Sequence, residues 1–128
     1  MKVLITTDGD EAARHAIASA TKLLRLDGAT VRLLSVTDPE ARIGGNEDAS
    51  DDLARGVAQL RASGVRAEAV ERRGHFAEAI VAEAESWEAD VIVVGAGSRQ
   101  GFARWLAGSV SDDVIHGWRG AVLVVKLP

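Results

Sequence analysis

The residues best suited to chemistry lie between Val91 and Val110. Val91-Ile-Val-Val94 is a β-branched run that ends in Gly95. Gly97 and Gly101 follow, and Gly108-Ser109-Val110 opens a helix-like segment. A buried strand emptying into a glycine-bearing loop lets the backbone approach a ligand closely, because glycine has no Cβ. The helix start adds unpaired N–H groups and the positive end of a dipole, which suits an anion. The pattern points to a phosphate site.

Two familiar phosphate loops do not fit. A P-loop needs Gly-Lys followed by Ser or Thr, and the chain has no such triplet. Gly95, Gly97 and Gly101 nearly match a dinucleotide fingerprint, but the third glycine is one place late. The next strand also ends Val124-Val125-Lys126, with no acidic residue to take a ribose. A Gly-x-Ser-x-Gly hydrolase elbow is absent around Ser98.

The elements that must position this loop follow from periodicity. Met1–Thr7 is a short β-branched run stopped by Asp8-Gly9. From Glu11, Ala13, Ala16, Ile17, Ala20 and Leu24 mark one helix face, with Asp10 as cap and Asp27-Gly28 as stop. Thr30–Val36 is a second strand, broken by Asp38-Pro39. Residues 40–50 are expected to be loop. Leu53, Val57 and Leu60 mark a second helix closed by Gly64, and Val65–Glu71 alternates like a half-exposed outer strand. Gly74-His75 leads into a helix carried by Ala77, Ile80, Val81 and Ala84. Val91–Val94 is the expected central strand, Ser109–His116 the last helix and Ala121–Val125 the fifth strand. Regular alternation of strand and helix calls for α/β architecture, a doubly wound parallel sheet with helices on both faces. In such sheets ligands sit beyond the strand carboxyl ends, where Asp8, Val36 and Gly95 fall.

Several segments together resemble the universal stress protein family. Its motif is Gly, two residues, Gly, nine residues, then Gly-Ser or Gly-Thr. Here Gly95 stands thirteen places before Gly108-Ser109. The opening Val3-Leu-Ile-Thr-Thr-Asp-Gly-Asp-Glu-Ala-Ala is similar to the family's first strand, Asp-Gly turn and Ala-rich helix. Gly74-His75 with Ala79-Ile80 and the closing Ala121-Val-Leu-Val-Val-Lys126 complete the match. The resemblance implies one domain over residues 1–128 of the adenine-nucleotide α-hydrolase-like fold, strand order 3-2-1-4-5. It also implies ATP or AMP, with or without Mg, as ligand. Asp8 would accept from the adenine or ribose edge, Thr6 would be among the binding residues, and Val36 and Val94 would flank the base. Gly95 and Gly97 would admit the ribose and phosphates, and Ser98, Gly108, Ser109 and Val110 would supply donors. Binding would order Gly97–Arg104 and change a surface read by a partner protein. The chain departs from the motif at its second glycine, which is Ser98 here, while Gly97 sits one position early.

Plainer roles stand beside these. Gly108-Ser109 followed by Asp112 is close to a capping box, and Asp8-Gly9 is a frequent turn pair. Arg99 and Arg104 have the right chemistry for phosphate, yet loop arginines are commonly just solvated. Glu47, Asp48, Asp51 and Asp52 suit the positive end of the second helix better than a cation. His15, His75 and His116 share no helical turn, so no metal site is expected. Trp87, Trp105 and Trp118 read as packing residues, one of them a candidate subunit contact.

Composition narrows the classes. Among 128 residues, 47% are hydrophobic and 27% charged, as in an ordinary globular domain. Net charge is −4 and the 12 arginines form no basic stripe, which opposes nucleic-acid binding. There is no cysteine, signal-peptide pattern or membrane-length apolar run, so the expected location is the cytoplasm. The expected function is a small regulatory, stress-response protein binding an adenine nucleotide, with little or no hydrolysis because no general base is evident. The alternative is a nucleotide-free interaction module, dimeric through Ala121–Val125. A phosphoacceptor receiver domain is disfavoured, since the third strand ends Val70-Glu71-Arg72 without an acceptor aspartate.

Overall fold

Lys2–Thr7 forms the first strand, β1, and places Val3 and Ile5 on one face and Leu4 on the other, all fully buried. Burial on both faces explains why this strand is apolar throughout rather than alternating. In the computed structural model, residues 1–7, 10–37, 39, 49–96 and 109–126 are described. The remaining elements are α1 (Asp10–Leu23), β2 (Thr30–Thr37), α2 (Ala49–Ala62), β3 (Arg66–Arg73), α3 (Phe76–Trp87), β4 (Val91–Ala96), α4 (Ser109–Gly117) and β5 (Ala121–Lys126). The five strands pair in parallel in the order β3-β2-β1-β4-β5.

Strand parity sorts the core into two layers. Val3, Ile5, Val31, Leu33, Val91 and Val93 pack under α1 and α2. Leu4, Leu34, Val36, Ile92 and Val94 pack under α3 and α4. Helix positions three or four apart supply the other half of each layer: Ala16, Ile17 and Ala20 from α1, Leu53, Val57 and Leu60 from α2, Ile80 and Ala84 from α3, Val110 and Val114 from α4. Gly56 lets α2 sit close, since a Cβ there would lie 2.6 Å from Leu33 Cδ1 and 3.1 Å from Ile17 Cδ1.

Several boundaries differ from the periodicity. α1 begins at Asp10 and stops at Leu23, before the Asp27-Gly28 turn. Leu26 explains the early stop: it is 6% exposed in the first core layer, which pulls the chain off the helix axis. Gly28 then turns at φ 74° into β2. β1, not β4, is the middle strand, and β4 is apolar because an interior strand is covered on both faces wherever it stands. Gly64 does close α2: at φ 81° its N–H bonds to Arg61 O while Val65 N–H bonds to Leu60 O, a Schellman pair. α3 ends with the same two bonds, yet Glu88 takes the left-handed position at φ 59°. No described helix is long and apolar enough to cross a membrane.

Candidate functional site

From β1 the chain winds outward through β2 to β3, then α3 carries it back across to β4 on the other side of β1. The winding therefore reverses between β1 and β4, the place where parallel sheets leave a crevice at their carboxyl end. The register between them runs from Val3↔Val91 to Ile5↔Val93. At the next residue Thr6 turns its hydroxyl sideways, and Oγ1 donates to Val93 O at 3.2 Å. A side chain thus takes up a strand acceptor just where the crevice opens. Thr6 is 2% exposed, so this bond is part of the sheet and forms the floor of the crevice.

Thr6, Val36, Val94 and Gly95 all lie near the carboxyl ends of their strands, and Val110 lies in the first turn of α4. Val36 and Val110 are 6% exposed and Val94 is fully buried, all three within the α3–α4 layer. Gly95 pairs with Val125 and has open space where a Cβ would stand. No positive φ demands glycine there, so its value lies in the free approach to the backbone. α4 runs antiparallel to the strands, as a right-handed parallel crossover requires, which sets its first turn at the carboxyl end. Val110 and Val114 anchor it to the sheet. Its opening N–H groups and dipole accordingly face the crevice side. Asp8, Gly97, Ser98 and Gly108 lie outside the described residues, as do Glu47, Asp48, Arg99, Arg104 and Trp105. Ser109 is described only as the first residue of α4.

The other polar residues singled out have local employment. Asp51 and Asp52 fall in the first turn of α2. His15 Nε2 donates to Lys126 O at 3.0 Å, tying α1 to the end of β5, and His116 Nδ1 donates to Asp112 O at 2.7 Å. His75 precedes α3 in extended conformation. Among the described residues no group of three or more His, Asp or Glu side chains could hold a metal ion.

The main charged network lies elsewhere and the sequence did not announce it. Glu83, 4% exposed on the sheet side of α3, accepts from Arg32 Nη1 at 2.6 Å and from Arg72 Nε at 2.7 Å. Arg32 also meets Glu68 at 2.6 Å and stacks 4.3 Å above the Trp87 ring. Burial pushes the Glu83 carboxyl up, but the hydrogen bonds and charges of Arg72 and Arg32 outweigh it and hold the group below its ordinary range. Burial likewise opposes the charge on Arg32, and Glu68 and Glu83 outweigh it in raising the guanidinium. One signal was available: an acid at the i+3 position of the Ile80–Ala84 apolar stripe must be buried and paired. This network is structural, binding β2 and β3 to α3.

Comparison with known proteins agrees with this architecture. The universal stress protein family model matches residues 1–126. Universal stress protein MJ0531 of Methanocaldococcus jannaschii is 30% identical over 140 residues, covering 99% of this chain and 82% of that protein. Hypothetical protein MJ0577 superposes with TM-score 0.82 at 28% identity, over 99% of this chain and 96% of that one. The universal stress protein from Archaeoglobus fulgidus in complex with dAMP superposes with TM-score 0.74 at 25% identity, over 98% of both chains. Strand order, crevice position and sequence match cover the same stretch of polypeptide: the chain belongs to the universal stress protein family.

Proposed function

We propose that this protein is a regulatory nucleotide binder that holds ATP or AMP in the β1–β4 crevice and hydrolyses it slowly or not at all. The observation that carries this reading is Gly95, the residue at the crevice mouth with open space in place of a side chain. The dAMP complex of the Archaeoglobus relative supports an adenine nucleotide as the ligand class. In this reading Asp8 and Thr6 stand at the adenine or ribose edge, over the apolar surface of Val36 and Val94. Gly95 and Gly97 leave room for the ribose and phosphates. Ser98, Gly108, Ser109 and Val110 offer donors at the start of α4, where dipole and free N–H groups favour phosphate. A stress-response role in the cytoplasm belongs to the same proposal.

Calorimetric titration with Mg-ATP tests it, with Gly95→Val and Gly108→Val alongside. Valine suits a strand and meets open space at position 95, so the fold should survive while the approach is blocked. Saturable binding lost in both variants is the expected result. Undiminished binding in Gly95→Val would move the ligand elsewhere. Robust ATP turnover that disappears in Asp8→Ala would replace the regulatory reading with an enzymatic one.

A second reading, a nucleotide-free dimeric interaction module, is favoured by the β5 side of the molecule. Val122, Leu123 and Val124 are only partly buried, and β5 pairs with β4 alone. Ile115, 46% exposed, lies on the flank of α4 away from α3 and so on the β5 side. Such an edge suits antiparallel pairing with a second copy. Absence of nucleotide from acid-extracted protein, with a dimer in sedimentation, would select this reading.

A further inference from the structure

α3 and α4 lie side by side on the outer surface and leave a groove of about 450 Å³ between them. Short side chains line it: Ala77, Val81 and Ala82 of α3, with Gly117 of α4, where a Cβ would meet Val81 Cγ2 at 3.5 Å. Its rim is acidic. Glu78 and Glu85, seven residues apart and so on one stripe of α3, face Asp113 across the gap. Glu83 on the same helix is paired twice, whereas these three carboxylates have no ion-pair partner among the described residues. Neither helix contains Lys or Arg, and His116 is turned to the Asp112 carbonyl.

We propose that this groove docks a cationic amphipathic helix of a partner protein. Short lining side chains let a helix backbone come close, and its apolar stripe would cover Val81 and the alanines. Lysines or arginines flanking that stripe would meet Glu78, Glu85 and Asp113. The α3 residues lining the groove run from Ala77 to Glu85, about 12 Å, so it matches about two turns of a partner helix. A second copy of this chain is the poorer occupant, because its net charge of −4 opposes an acidic rim. The inference stands whether or not the β1–β4 crevice holds a nucleotide.

The test is a fluorescence titration of the full chain with a labelled synthetic helix of about 14 residues, leucines on one face and lysines beside them. Two variants accompany it. Gly117→Leu fills the groove; Gly117 has no positive φ and is exposed, so the fold tolerates a side chain there. The triple change Glu78→Gln, Glu85→Gln, Asp113→Asn removes the charge. Saturable micromolar binding that weakens about tenfold in each variant, and further with added salt, is expected. Equal affinity in both variants would overturn the proposal, as would no saturation by about 1 mM peptide. Equal binding of a peptide with glutamates replacing the lysines would defeat the charge argument. A changed sedimentation coefficient in Gly117→Leu would mark the groove as a self-contact and equally overturn the partner assignment.

Discussion

β3 and β5 both end the sheet with a row of backbone groups open on one side, yet their side chains differ in kind. β3 carries Arg66, Glu68, Glu71, Arg72 and Arg73 along its length. β5 reads Ala-Val-Leu-Val-Val before its single charge at Lys126. Charge on an edge strand discourages a second chain from pairing there, because the side chains must stay hydrated. The β3 charges also work inward, since Glu68 and Arg72 join Arg32 and Glu83 to fasten the edge to α3. On the other side Val122, Leu123 and Val124 remain half-buried, with Ile115 exposed above them. One edge is fastened by charged pairs within the chain, and the other leaves apolar side chains half-buried.

The largest effect should come from unfastening β3. Glu83→Ala leaves Arg72 without its counter-charge and Arg32 with Glu68 alone, and because both guanidinium groups are partly exposed the loss should reach at most about 3 kcal/mol. Urea unfolding should show this, with Glu83→Gln losing less because its amide oxygen still accepts. A pH dependence follows from the lowered Glu83 pKa. The unfolded chain titrates near the ordinary 4.5, so the stabilisation is complete above that value and fades as pH falls through the lower folded value. Wild type should therefore lose stability below about pH 4.5 more steeply than Glu83→Gln. Parallel acid curves would show that the network contributes little.

Val124→Lys should break the other side of the comparison. Val124 is partly exposed and belongs to neither core cluster, so the folded monomer should persist. A dimer through β5 would have to bring two such lysines together, weakening self-association by about a hundredfold or more. Sedimentation of the variant as a dimer would place the contact elsewhere. The entry to β5 is the next test. A Cβ on Gly120 would lie 2.5–2.7 Å from the Trp118 ring, so Gly120→Ala must displace the indole at a cost of about 1–2 kcal/mol. Thermal melting of that variant at unchanged Tm would mean the ring moves freely. The smallest change is Trp118→Phe. The buried indole Nε1 has no hydrogen-bond partner among the described residues, so its removal offsets part of the lost packing and should shift stability by less than about 1 kcal/mol.

The candidate site is readable in the sequence where its signals are local. Gly95 ending a β-branched run and Gly108-Ser109 opening a helix lie within one continuous stretch, and the spacing between them carries the family pattern. Thr6, Val36 and Val94 were harder. Their place at the crevice follows from strand order, and only the Thr6 bond to Val93 O marks where β1 and β4 part. The boundary of α1 went astray because Asp27-Gly28 is the stronger turn signal, while the core's demand for Leu26 acts from across the fold.

The sequence alone determined the alternation of strands and helices, the two-faced burial of the interior strands, and the glycine that closes α2. These follow from periodicity and backbone preference, which act over a few residues. Only the tertiary structure decided that Arg32, Arg72 and Glu83, as many as 51 positions apart, form one network. It alone set three carboxylates around a groove between α3 and α4. Charges have no periodicity to read, and their meaning depends on which strands and helices the crossovers place side by side.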